Sequence, residues 1–192
     1  ALDESDYERA RRDGERALKD AQETQVDDAV RARCARMLAE LELELGRALE
    51  ALRVLDEQAE VLSIGTDARD AWLRYRVLLE LGLRDAAGES LERGLSTSND
   101  QDWDGLLARA WCERASGELE RSFETIALAQ ATAKQGDGPE PALFSAVGDL
   151  YFEAHREVEE AKGYSASKEY KRALSINERF EPALLGLFEL HR

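Results

Sequence analysis

GRALEALRVLDEQ at residues 46–58, GLRDAAGESLERG at 82–94 and GELERSFETIALA at 117–129 align without a gap. Each stretch opens on glycine, has a small residue five positions later (Ala51, Ala87, Ser122) and a large apolar residue four beyond that (Leu55, Leu91, Ile126). The copies are spaced by 36 and then 35 residues. A period of this length marks a repeated supersecondary unit that buries its apolar face by stacking on its neighbours.

The unit reads as a hairpin of two helices. Before the glycines lie amphipathic runs, Met37, Leu38, Leu41 and Leu45 in one copy and Tyr75, Leu78, Leu79 and Leu81 in the next, each expected to form one apolar helix stripe. Gly46, Gly82 and Gly117 suit the left-handed conformation that ends a helix, and the second run starts so soon that it must fold back antiparallel. Ala51, Ala87 and Ser122 are expected to let the paired axes approach closely. Polar breakers separate the hairpins: Gly65-Thr66-Asp67, Ser98-Asn99-Asp100 and Gly136-Asp137-Gly138-Pro139, whose Thr, Asp, Asn and Ser can cap the next helix. Pro141 and Pro182 suit a first helical turn.

The same unit continues with insertions into the last third. Residues 141–151 read as a first helix and Ala166, Tyr170, Ala173 and Leu174 as a second, with about nine extra residues relative to the earlier spacing, part of them in 154–165. Tyr7, Ala10, Gly14, Ala17 and Leu18 look like a second helix without a first. The expected layout is a single domain over 1–192: an orphan helix at about 5–22, hairpins at about 27–62, 67–96, 101–134 and 140–177, and a terminal helix at about 181–191.

Composition narrows the partners. The formal charge is −15, from 41 acidic against 26 basic residues, which is the wrong sign for phosphate-backbone binding or for adhesion to anionic membranes. No apolar run approaches the ~20 residues that span a bilayer. The opening Ala-Leu-Asp-Glu has neither an initiator Met nor a signal-peptide pattern, which reads as an excised or processed start of a longer protein. Cys34 and Cys112 are far apart and in no metal spacing, so both are expected to be small buried hydrophobes.

The pattern resembles the tetratricopeptide repeat, a helix–turn–helix unit of about 34 residues. The last full unit carries the likeness best: Phe144, Val147, Gly148 and Tyr151 match the first-helix signature, and Ala166, Tyr170 and Ala173 the second. Earlier units depart from it, with Ala39 and Ala110 at the small first-helix position but Tyr75 between them. The resemblance implies an all-α solenoid of about four to five such hairpins in a right-handed superhelix, with first helices lining a concave groove. Pentatricopeptide repeats, which bind RNA, share a 35-residue period but are typically basic.

Carrying the groove positions over gives Arg33, Arg36 and Glu40, then Arg69, Trp72, Arg76 and Leu79, then Leu107, Trp111 and Arg114, and finally Ser145, Asp149 and Phe152. Arginine forks beside tryptophans suit a partner segment bearing acidic and apolar residues. The competing reading makes the tryptophans hairpin core and the arginines partners of the acidic surface. The Asn and Lys positions of a chaperone-binding carboxylate clamp are not matched. His155, near Glu157, Glu159 and Glu160, reads as part of a solvated helix face and not a metal site, and neither it nor His191 implies a catalytic triad.

The expectation is therefore a non-catalytic scaffold for a protein or peptide partner, with no cofactor, no nucleic acid and no membrane insertion. The alternative is a structural element that assembles end to end. Leu184, Leu185, Leu187, Phe188 and Leu190 are too apolar for a terminal cap, so the chain is expected either to continue or to meet a second copy there as a homo-oligomer.

Overall fold

The computed structural model describes residues 4–24, 27–62, 67–97, 101–135, 140–157 and 165–192. Among these the chain is all-α, with ten helices and no strand. They form two compact units, Ala1–Asn99 and Asp100–Arg192. The first holds α1 (Glu4–Glu23), α2 (Asp28–Glu44), α3 (Ala48–Glu57), α4 (Ala68–Glu80) and α5 (Arg84–Thr97). The second holds α6 (Trp103–Ala115), α7 (Leu119–Gln135), α8 (Pro141–Glu157), α9 (Ala166–Ile176) and α10 (Glu181–Leu190). No helix among the described residues is long and apolar enough to cross a membrane.

Three of the chain reversals are the same object. Gly46, Gly82 and Gly117 have φ of +71°, +74° and +83°, where a Cβ would crowd the backbone. The Gly46 N–H donates to the Leu43 carbonyl at 2.9 Å and the Arg47 N–H to that of Glu42 at 2.8 Å. The pairs recur as Gly82 to Leu79 and Leu83 to Leu78, both 2.9 Å, and as Gly117 to Arg114 at 2.9 Å and Glu118 to Glu113 at 2.8 Å. Carbonyls orphaned at the helix end are thereby satisfied while the chain turns back.

Side chains at helix starts complete the hairpins. Asp27 accepts the Ala29 N–H at 3.0 Å, Asp67 that of Arg69 at 2.8 Å, and Ser165 that of Lys168 at 3.3 Å. The cap of α6 is Asp102, which accepts the Gly105 N–H at 2.7 Å. Of the polar breakers, Gly65, Thr66 and residues 98–100 and 136–139 lie outside the described residues. Pro141 opens α8 and Pro182 sits in the first turn of α10, where its missing N–H is not needed.

Positions seven apart in each second helix, taken with the C-cap of α3, hold small residues in all but Gln58: Ala51 and Gln58, Ala87 and Gly94, Ser122 and Ala129, Ala166 and Ala173. All eight are buried. Gly94 is the closest approach, since a Cβ there would come 2.3 Å from that of Ala71 on α4. Ser90 and Ser122 donate their hydroxyls to the carbonyls of Ala71 (3.3 Å) and Ala110 (2.9 Å), so these two polar residues in the seams are satisfied by the facing helix. Beside them Leu55 and Ile126 are fully buried, worth roughly 1.5–3 kcal/mol each.

In the first unit α4 packs on both α2 and α3, around Leu18, Ala35, Leu38, Ala39, Leu55, Leu73 and Val77. In the second, α8 packs on α6 and α7, and α10 on α8 and α9. Tyr170 of α9 is wedged between α8 and α10: a Cβ on Gly148 or Gly186 would fall 2.6 or 2.3 Å from its ring. Cys112 is buried, while Cys34 is only half-buried against the core edge, short of the burial expected for it.

Gly94→Ala is expected to destabilise the first unit by about 1–3 kcal/mol through overpacking against Ala71. Gly88→Ala on the same helix meets open space and gains helix propensity, stabilising by up to about 1 kcal/mol. Urea unfolding followed by Trp72 fluorescence, with Trp103 and Trp111 replaced by Phe in every chain compared, checks the pair.

Candidate partner-binding face

Seven of the groove residues expected from the sequence lie in the first unit: Arg33, Arg36 and Glu40 on α2, and Arg69, Trp72, Arg76 and Leu79 on α4. They do not play one role. Arg36 Nη1 donates at 3.0 Å to Oδ1 of Asp70, whose side chain is 0% exposed, and lies 3.8 Å from Asp67. This bond ties α2 to α4, so Arg36 is a structural residue and not a free reader of a partner. The fork of Arg69 closes on Asp67, at 2.7 Å from Nη2, within the cap of its own helix. Burial raises the Asp67 carboxyl's proton affinity, but the Arg69 hydrogen bonds and the charges of Arg69 and Arg36 overcome it and hold the pKa below the usual carboxylate range.

Arg76 Nη2 reaches across to Glu44 of α2 at 2.9 Å, and Trp72 stacks on Tyr75 with centroids 5.3 Å apart. Arg33 is exposed and has no ion-pair partner among the described residues. On the same face of α2, three or four positions apart, are Val30, Met37 and Glu40, with Val30 48% and Met37 61% exposed. Leu79 of α4, expected in both stripe and groove, is 41% exposed one turn beyond Tyr75 and Arg76. Met37 therefore corrects the sequence reading, which put it in the core stripe. The core face of α2 runs through Ala32, Ala35, Leu38, Ala39 and Glu42, and one residue turns a helix by about 100°.

The other six lie in the second unit. Leu107 is only 4% exposed, inside the cluster of Leu106, Ala110, Ile126 and Val147, and presents no surface to a partner. Trp111 is half-buried against that cluster with the Arg114 guanidinium 5.5 Å from its ring centroid, and Arg114 reaches Glu153 of α8 at 3.6 Å. Phe152 packs half-buried against the Tyr170 cluster. Ser145 is buried, and Asp149 accepts the Tyr170 hydroxyl at 2.7 Å. Burial pushes the Asp149 pKa up, with Glu153 and Glu189 adding to it, against the Tyr170 hydrogen bond.

The side chains of His155 and Glu157, and residues Glu159 and Glu160, lie outside the described residues. No protein-family model matches the chain, and no curated protein or solved structure matches it at a significant level.

Arg36→Ala should cost the first unit about 3 kcal/mol by removing the arginine bonded to the buried Asp70 carboxylate, whereas Arg33→Ala on the exposed face should stay within about 0.5 kcal/mol; urea midpoints separate them. Asp149 gives a pH test. Its folded carboxyl holds a proton more tightly than the unfolded one, so its contribution favours folding below the ordinary carboxylate range and is lost as pH rises through the raised folded value. Compared with the native chain, Asp149→Asn should remove that part of the stability change between mildly acid and neutral pH, read from Trp103 and Trp111 fluorescence.

Proposed function

We propose that this chain is a non-catalytic scaffold built of tetratricopeptide-like hairpins, which holds an extended partner segment along its first helices. The observation that carries the reading is the open α2–α4 face. There Val30, Met37 and Leu79 keep large apolar surface in water, beside exposed Arg33 and the Trp72–Tyr75 stack, while the neighbouring arginines are held by carboxylates. Apolar side chains grouped this way on a helix face mark interaction surfaces more than isolated ones do. The occupant that suits them carries apolar anchors and a carboxylate for Arg33. The repeated glycine reversals and the packing of α4 on α2 and α3, and of α8 on α6 and α7, support a solenoid arrangement within each unit.

A second reading, end-to-end assembly, has its own observation. On α10, Leu184, Leu185 and Phe188 are 46%, 57% and 68% exposed, and on α1 the small residues Ala10 and Ala17 are exposed although seven apart like their buried counterparts in the other second helices. Apolar assembly of this kind would resist salt, whereas a carboxylate on Arg33 would be screened.

Random short peptides displayed on phage and selected on the intact chain should enrich sequences combining Leu, Phe or Met with Asp or Glu. Their affinity should fall at least about tenfold on Arg33→Glu or Met37→Glu, which touch no buried contact, and should weaken with salt. Binding unchanged in both variants would refute the α2–α4 assignment. Light scattering that shows assembly abolished by Phe188→Glu would favour the second reading.

A further inference from the structure

On the side of α2 turned away from Met37, a cleft of about 160 Å³ runs between α1 and α3 with α2 as its floor. That is well above the roughly 10–15 Å³ one water needs. Its apolar surface comes from Leu18, Leu38 and Val54, one from each helix. Two deeply buried polar side chains line it as well, Glu42 at 3% and Gln58 at 5% exposure. Glu42 Oε2 and Gln58 Oε1 each accept no hydrogen bond among the described residues. The nearest cations to Glu42, Arg11 and Arg47, stand at 3.7 and 3.9 Å, beyond hydrogen-bond reach.

Buried acceptors without a donor are costly and call for an explanation by something that binds them. Four carboxylates line the cleft (Glu15, Glu42, Glu50, Glu57); Arg11 holds Glu15 at 3.0 Å and Arg53 holds Glu50 at 2.9 Å, while Lys19 is engaged with Glu23 at 3.7 Å, which leaves Glu42 Oε2 without a hydrogen-bonded cation. The ligand is therefore a cation. Among the described residues no three of His, Cys, Asp or Glu are grouped to hold a metal. An ammonium has three donors on a compact charge, and an alkyl stem matches the apolar wall.

We infer that this cleft binds a primary alkylammonium group, with its chain against Leu18, Leu38 and Val54 and its ammonium donating to Glu42 Oε2 and Gln58 Oε1. The chemistry is shared by a free aliphatic diamine and by a lysine side chain of another protein. Burial lifts the Glu42 pKa against the pull of Arg11 and Arg47, so binding weakens as acid protonates it.

The test is an amide NMR titration of the intact chain with 1,5-diaminopentane, and in parallel with lysine capped as its N-acetyl methylamide. Saturable shifts are expected at Leu18, Leu38 and Val54 and not at Trp72. Glu42→Gln and Gln58→Met should each weaken binding about tenfold, while Glu80→Gln, the same charge change on exposed α4, should not. Saturation by the diamine alone assigns a free amine, and saturation by both assigns a lysine side chain. Should Glu42→Gln fail to fold, Gln58→Met alone decides. No saturable shift, or equal affinity in Gln58→Met and the native chain, overturns the inference and leaves the two oxygens to water.

Discussion

Each of the three tight hairpin turns depends on a glycine where the backbone must go left-handed, leading into a helix with a small buried residue, Ala51, Ala87 or Ser122, in its first turns. At Gly46, Gly82 and Gly117 the turn uses two backbone hydrogen bonds and no side chain, so the first helix ends in a fixed direction whatever surrounds it. The turn brings the two helices into close contact. Ala51, Ala87 and Ser122 allow the facing helix near, and Gly94 on Ala71 and Tyr170 between Gly148 and Gly186 take the approach to its limit. Helices this close cover the core with few large residues, and that frees the opposite faces of α2 and α4 for other uses.

Charge is placed by the same geometry. The chain carries an excess of acid, −15 overall, yet its interior seams contain carboxylates as well: Asp70, Glu113 and Glu169 are almost fully buried. Arginines are drawn in to meet them, Arg36 to Asp70 and Arg109 to Glu113 at 3.0 Å each, with Thr125 donating to Glu113 at 2.7 Å. Such pairs do little for net stability but make a wrong register expensive, because each misplacement strands a buried charge. Three of the arginines expected at groove positions, Arg36, Arg69 and Arg76, are held by carboxylates.

Much of the helical layout was legible because its signals are local. A glycine followed by a small residue five positions on needs no tertiary information to be read as a turn and a seam, and the cap at Asp67 follows from residue type, whereas the Ser165 cap lay inside what read as an insertion. The candidate face was legible only in outline. Arg33, Trp72, Arg76 and Leu79 were carried over from the tetratricopeptide resemblance, but burial depends on which neighbour arrives: Leu107 went inside because α7 and α8 cover it, and Met37 went outside because the buried stripe of α2 is built largely from alanines. Alanine is a weak hydrophobic signal, so periodicity weighted by size favoured Met37. The buried oxygens of Glu42 and Gln58 had no sequence signature at all, since each sits where an unbroken apolar stripe would be expected.

Met37 is the chain's single methionine, and it supplies the most direct test of the arrangement. A soluble paramagnetic agent relaxes methyl groups according to their distance from solvent, and the Met37 methyl can be compared with the methyls of Ala39 and Ala71. If close alanine seams leave the α2–α4 face open, Met37 will relax strongly while Ala39 and Ala71, both 0% exposed, remain protected. A shielded Met37 beside relaxed Ala39 or Ala71 would mean that α2 is rotated and that the open face does not exist.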